Sequence, residues 1–284
     1  MGKQARFQLS FLAPAIALFG LFVLWPLGQA LYLSLFKWSG LSANKTFIGL
    51  ENYTRLARDE VFRGAVGHSA WLLVVVGFLI FVLALGLAHA MNLPGRISKA
   101  VRSFFLFPHV MSLVAVAILW RFVFDPTKGG LANGILGQQV DWLGQKSTAL
   151  PSVGAAFLWY SLGFYVLLFM AALSQRDHEV MEAAELDGTS PWVKFSQVTW
   201  PMIWSVRRVA VIYLAINVAN VFALVWIMTA GGPDRATETM LTVLYQVGFA
   251  QSKFGYASAM AVTNLILVAL ITAGIMTATR RYPA

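Results

Sequence analysis

SAWLLVVVGFLIFVLALGLAHAM, residues 69–91, is a run of 23 residues without Asp, Glu, Lys or Arg. The hydrocarbon core of a bilayer is roughly 30 Å thick, so a spanning helix needs about 20 mostly apolar residues. This run meets that length and is too continuous to be a half-buried strand. Outward from it, five more apolar stretches lie at 9–36, 103–124, 153–174, 205–230 and 257–279. Each is long enough to span. The reading is an all-α polytopic membrane protein with about six transmembrane helices, in a single membrane domain over 1–284.

Composition agrees. Apolar residues make up 58% of the 284 and charged residues 12%, with a mean hydropathy of +0.69. A soluble domain of this size needs more charge to cover its surface. The net charge of +9 reads as basic residues flanking the spans rather than as a nucleic-acid surface. The first stretch follows Lys3 and Arg6 but continues past Pro26 to Leu35, beyond the about 7–15 apolar residues of a signal peptide. It reads as a first span. Pro14, Pro26 and Pro108 fall in or near spans, where neighbouring helices satisfy freed carbonyls.

Orientation follows from short basic segments. With the N-terminus inside, Lys and Arg divide eleven inside to ten outside, which decides little. The acid-free segments 1–8, 92–102 and 280–284 all then fall inside. Both termini are expected in the cytoplasm.

All twelve carboxylates lie in connecting segments. Ion-coupled transporters generally carry an ionisable residue within the bilayer. The nearest candidates are His89 and Arg121, near the ends of the second and third stretches, and both read as interfacial. No G-x-x-x-x-G-K-[ST] loop, G-x-S-x-G elbow or second zinc-protease histidine after His178-Glu179 occurs, and there is no cysteine. No catalytic or metal set emerges. Three classes stay in play: one subunit of a machine powered elsewhere, a self-sufficient secondary transporter, and a membrane-embedded enzyme or tether.

Segment 175–204 separates them. Residues 178–187 are good helix formers with acids early, which suits the N-terminal dipole. Val180, Ala183 and Ala184 form a small apolar stripe. Gly188 is placed to stop this helix in the left-handed region. Ser190 is placed to cap a second helix with Pro191 at its first position, and Pro201 is expected to end it. Such a hairpin fits a partner's polar groove, or equally a solvated membrane interface.

Glu182-Ala183-Ala184, then Asp187-Gly188, then Pro201 resembles the "EAA" loop of ABC-importer permeases. The glycine follows the last alanine by four residues and the proline follows the glycine by thirteen. The segment lies between the fourth and fifth spans, as in that family. Phe47-Ile-Gly-Leu-Glu-Asn-Tyr53, Thr229-Ala-Gly-Gly-Pro233, Thr237-Glu-Thr-Met-Leu241, Tyr245 and Gly255-Tyr-Ala-Ser-Ala-Met260 are similar to phrases of its carbohydrate branch, of the maltose and glycerol-3-phosphate permease type. The family often has one more glycine before that proline.

The resemblance implies the type I permease fold in a bacterial inner membrane. It implies a second homologous permease, two ABC ATPase subunits and an extracytoplasmic solute-binding protein as partners, besides membrane lipid. ATP and Mg would be held by the ATPases, with no cofactor in this chain. Glu182, Ala183, Ala184, Asp187, Gly188 and Pro201 would couple to the ATPase. Sugar recognition usually combines aromatic faces with amides and hydroxyls. Candidates within spans are Trp159, Tyr160, Tyr213, Asn217, Asn220 and Asn264, with interhelical hydrogen bonding as the plainer role of the polar ones.

Overall fold

The computed structural model describes residues 3–42, 44–91, 107–127, 129–175 and 178–279. Helix α1 begins as Lys3–Phe19, widens by a turn at Gly20–Leu24 and continues as Trp25–Leu33. A two-stranded sheet follows, β1 (Phe36–Lys37) with β2 (Thr46–Phe47). Then come α2 (Glu51–Arg58), α3 (Glu60–Met91), α4 (Leu113–Val123), α5 (Leu131–Leu136) and α6 (Lys146–Ser174). The remainder is α7 (His178–Leu186), α8 (Pro191–Met202), α9 (Trp204–Ala219), α10 (Ala223–Met228), α11 (Met240–Ala250) and α12 (Phe254–Ala278).

Among the described residues, Phe11–Leu33 of α1, α3, α6 and α12 are each long and apolar enough to cross a membrane. The pair α8 and α9 makes a fifth if counted as one span, bent by 70°. The stretch 103–124 is represented by α4; residues 101–106 lie outside the described set, as does the basic segment 92–100. The stretch 205–230 is not one continuous helix. It is α9, an interruption at 220–222, and α10.

By its contacts the chain divides into two compact units, 1–63 with 243–266 and 64–242 with 267–284. In the smaller unit β1 and β2 pair antiparallel, Phe36 opposite Phe47 and Lys37 opposite Thr46. Asn52 is buried and donates through Nδ2 to the Ser34 and Phe36 carbonyls at 2.7 and 3.1 Å. The Tyr53 hydroxyl donates to Ser34 Oγ at 2.7 Å. Asp59 caps α3 by accepting from the Val61 and Phe62 amides at 2.9 and 3.2 Å. Its second oxygen accepts from the Tyr256 hydroxyl at 2.7 Å, and the Arg55 guanidinium lies 4.6 Å from the Tyr256 ring centre.

The Gly255 amide donates to the Trp38 carbonyl at 3.1 Å. A Cβ on Gly255 would lie 2.0 Å from the Phe36 carbonyl oxygen, so only glycine permits this approach. Two phrases some two hundred residues apart in sequence, 47–53 and 255–260, are thereby parts of one small scaffold.

In the larger unit, Leu72, Val76, Ile80, Ala84 and Ala88 of α3 join Val153, Ala156, Phe157, Val166 and Phe169 of α6 in one core. Hydrocarbon offers helices no hydrophobic gain on association, so close fit of small residues carries the packing. Gly154 lets α6 approach α3: a Cβ there would stand 2.8 Å from Val76 Cγ2 and 3.3 Å from Trp71.

The break after α9 is stitched by hydroxyls. Thr239 donates through Oγ1 to the Val221 carbonyl at 2.9 Å, and Thr237 to the Gly232 carbonyl at 2.8 Å. Glu238, 2% exposed, accepts from the Thr242 hydroxyl at 2.5 Å, and its backbone carbonyl meets His68 Nδ1 at 2.9 Å. Inside a membrane protein, irregular backbone survives only where such groups satisfy it.

Candidate functional site

The loop between α6 and α9 has the expected form. Helix α7 stops at a left-handed residue, Gly188, with φ +63°. The Gly188 amide donates to the Glu185 carbonyl at 3.1 Å and the Thr189 amide to the Ala184 carbonyl at 3.4 Å. That double closure is the Schellman arrangement. The Thr189 hydroxyl also donates to the Ala184 carbonyl at 2.6 Å. Ser190 Oγ accepts from the Val193 amide at 3.3 Å and Pro191 opens α8. Lys194 of α8 forms an ion pair with Glu185 of α7, and its hydrogen bond and charge hold the Glu185 carboxyl below the usual carboxylate range.

Pro201 corrects the expectation placed on it. It does not end α8, which runs through it to Met202. A proline in a helix lacks an amide and its ring crowds the carbonyl four residues back. Residues 194–199 form a wider turn just before it, and the Trp200 amide donates five residues back to the Phe195 carbonyl. The wider turn makes room for the ring. The chain bends instead at Ile203.

The stripe on α7 divides. Ala184 is buried, whereas Val180, Glu182, Ala183 and Asp187 are exposed. Leu186 is 89% exposed and Trp192, opening α8, is 73% exposed. Behind this outer face lies a cavity of 1310 Å³ bounded by α3, the end of α6 and the loop, with Leu85, His89, Met181 and Phe195 in its wall. Rings run from the loop into the core. Phe195 meets Trp200 at 6.0 Å, Trp200 meets Phe81 at 6.2 Å, and Phe81 meets Phe169 at 4.9 Å between centres.

The second candidate group is only partly brought together. Tyr213 of α9 packs on Phe164 of α6 at 4.8 Å and lies 6.4 Å from Tyr165. Tyr160 lies 5.0 Å from His109, which lies 5.2 Å from Phe164. Trp159 instead meets Trp120 at 5.9 Å. Among the described residues, the side chains of Asn217 and Asn220 bond neither a neighbouring helix nor each other. Their amides donate to carbonyls of their own helix, Tyr213 at 2.8 Å and Ile216 at 2.7 Å, leaving amide oxygens to accept. Asn264 belongs to the smaller unit, 8% exposed, and among the described residues its Oδ1 has no hydrogen-bond partner.

His109 and Phe164 join Tyr160 to Tyr213, and sequence reasoning missed both. His109 had a signal, a histidine beside Pro108 within an apolar run. Phe164 had none among the chain's 21 phenylalanines.

Residues 80–281 match the family described as "Binding-protein-dependent transport system inner membrane component". This chain belongs to that family. It is an ABC-importer permease. It is 36% identical to the diacetylchitobiose uptake system permease protein NgcF of Streptomyces coelicolor, across 96% of this chain and 82% of that one. It is 32% identical to the lactose transport system permease protein LacF of Rhizobium radiobacter, across 92% and 90%. The fold matches that of a bacterial ABC transporter involved in the import of the acidic polysaccharide alginate, with a TM-score of 0.85 over 99% of this chain and 98% of the other at 22% identity.

Proposed function

We propose that this permease forms one half of an ATP-driven pathway for a sugar, and that α7 is the element through which the pathway is driven. The observation that carries the coupling role is the outer face of the loop, where Ala183 and Leu186 are exposed beside Glu182. A fully exposed leucine on a short helix held by its own turn suits a groove on another protein. In this reading two ATPase subunits hold the ATP and Mg, and each docks on the loop of one permease. A second homologous permease completes the pathway, and an external binding protein delivers the solute. The loop then faces the cytoplasm, with both termini on the same side. Movement of α7 reaches α3 and α6 through Phe195, Trp200, Phe81 and Phe169, a row of packed rings that shifts as a body rather than deforming.

The names of the relatives support a carbohydrate, since NgcF and LacF carry diacetylchitobiose and lactose in theirs. The row Tyr160, His109, Phe164 and Tyr213, with the acceptor oxygens of Asn217 and Asn220 on the same helix as Tyr213, offers ring faces and amide oxygens to a polyhydroxylated solute.

The test is reconstitution in liposomes with the neighbouring ATPase, second permease and binding protein. Uptake that needs ATP and all partners is expected. Uptake by this chain alone under an ion gradient would establish the secondary-transporter reading instead. A Gly188→Pro variant is expected to insert normally and to lose both ATPase association and transport.

A further inference from the structure

Helix α2 of the smaller unit is fixed at its back and open at its front. Asn52 and Leu56 are buried, and Asp59, just beyond the helix, is committed to the Val61 and Phe62 amides and the Tyr256 hydroxyl. The outward residues are Glu51, Thr54, Arg55, Ala57 and Arg58. Glu51, Thr54, Arg55, Arg58 and Asp59 line a shallow hollow of 470 Å³. No large apolar side chain stands on that face of the helix, so it belongs in water rather than in hydrocarbon.

The charge around this hollow is unbalanced. Residues 37–63 and 243–266 together hold six basic side chains, Lys37, Lys45, Arg55, Arg58, Arg63 and Lys253, against the acids Glu51, Asp59 and Glu60. All six are exposed, and among the described residues none of them pairs with a carboxylate. Arg55 and Arg58 stand three apart on α2 and are therefore neighbours on its surface. The Arg55 guanidinium, 4.6 Å from the Tyr256 ring centre, is already held in place and loses little further freedom on binding. Under the transport reading 37–68 is an outer segment. Short outer segments ordinarily carry few Lys and Arg, because these hold a loop in the cytoplasm. This one keeps five, a departure that calls for a use on the outside.

We propose that the hollow on α2 docks an acidic patch of the external solute-binding protein, with carboxylates of that protein between Arg55 and Arg58. The proposal rests on the transport reading, which puts this face outside and supplies the partner. A guanidinium fork matches a carboxylate in geometry as well as charge. The surrounding excess of basic residues steers an acidic face toward the hollow and speeds encounter. Glu51, on the wall of the same hollow, repels a carboxylate that arrives out of register, which helps to fix orientation. Leu50, 67% exposed where α2 begins, adds an apolar contact beside the charges.

The experiment uses the assembled transporter in nanodiscs and its own binding protein, with the ATPase rate followed against binding-protein concentration. The parent is expected to need about tenfold more binding protein for half-maximal stimulation in about 500 mM salt than in about 50 mM, because screening removes the steering. Arg58→Glu is expected to raise the half-maximal concentration about tenfold at low salt, to flatten its salt dependence and to leave the rate at saturation unchanged. Arg58→Lys keeps the charge and is expected to stay within about twofold of the parent, as is Arg63→Gln, an exposed cation that does not line the hollow. Arg58 is exposed and unpaired with any carboxylate among the described residues, so its variants are expected to fold, read as an unchanged unfolding temperature. A half-maximal concentration unmoved by Arg58→Glu, or moved equally by Arg63→Gln, would overturn the proposal. So would an Arg58→Glu effect seen in phosphatidylglycerol nanodiscs and lost in phosphatidylcholine ones, which would assign the hollow to lipid headgroups. A parent that its binding protein fails to stimulate at any concentration would sink the transport reading and this proposal with it.

Discussion

Glu238 reads in the sequence as one more loop carboxylate, yet the fold buries it among Thr237, Thr239 and Thr242. Its burial is tolerable because the Thr242 hydroxyl donates to it, and leaving such a group unmade costs more than a formed bond contributes. Thr242→Val preserves shape and removes the donor. It is expected to destabilise the protein by about 1–3 kcal/mol, read as a lowered unfolding temperature in detergent, with Thr242→Ser close to the parent. An unshifted Thr242→Val would show that the hydroxyl contributes nothing there. Glu185 behaves in the opposite way. It is exposed, and Lys194 lowers its carboxyl below the ordinary range. A lowered folded value means that its contribution is complete above the ordinary carboxylate range and is lost as pH falls through the lower value. The rate of protease cleavage within 175–204 is therefore expected to stay flat between about pH 6 and 8 and to rise only in acid. A rise already at neutral pH would exclude the Lys194–Glu185 pair as the hold on the loop.

At the scale of elements, the spans differ in what their sequences reveal. α3 announces itself by an unbroken apolar run, and α7 by its glycine stop at Gly188 and serine start at Ser190. The interruption between α9 and α10 is silent, because 205–230 is apolar throughout most of its length and periodicity alone reads it as continuous. Its cause lies elsewhere in the chain, in the threonines of 237–242 that take up the Val221 and Gly232 carbonyls. Pro201 misleads for a related reason: a wider turn at 194–199 absorbs it, and wide turns have no sequence signature as plain as a cap. The α3–α6 pairing rests on Gly154, where an added methyl meets the stiff, branched Val76 and Trp71. Gly154→Ala is expected to cost about 1–3 kcal/mol by overpacking. Gly77→Ala meets only the movable end of Leu214 and is expected to cost less. The reverse order in thermal unfolding would mean that α3 and α6 do not set the packing distance.

At the scale of the whole molecule, orientation is the property on which the transport reading depends. The chain contains no cysteine, so a single introduced thiol reports its own side of the membrane. Leu186 and Leu41 are 89% and 86% exposed, which suits both for labelling. Leu186→Cys is expected to react with an impermeant maleimide only from the cytoplasmic side, and Leu41→Cys only from outside. Labelling of both from one side would remove the coupling role of α7.

The sequence by itself determined the membrane class, the loop's helix–turn–helix form and the family. Each rests on local chemistry: run length against bilayer thickness, a glycine's left-handed freedom, a serine's reach to a backbone amide. Tertiary structure alone decided which of the candidate aromatics meet, how Glu238 is housed, and why Gly255 must be glycine. Those facts depend on distances between residues far apart in the chain, such as Asp59 to Tyr256 or His68 to Glu238. No local pattern encodes such a distance, because it is set by how helices pack rather than by what either residue prefers alone.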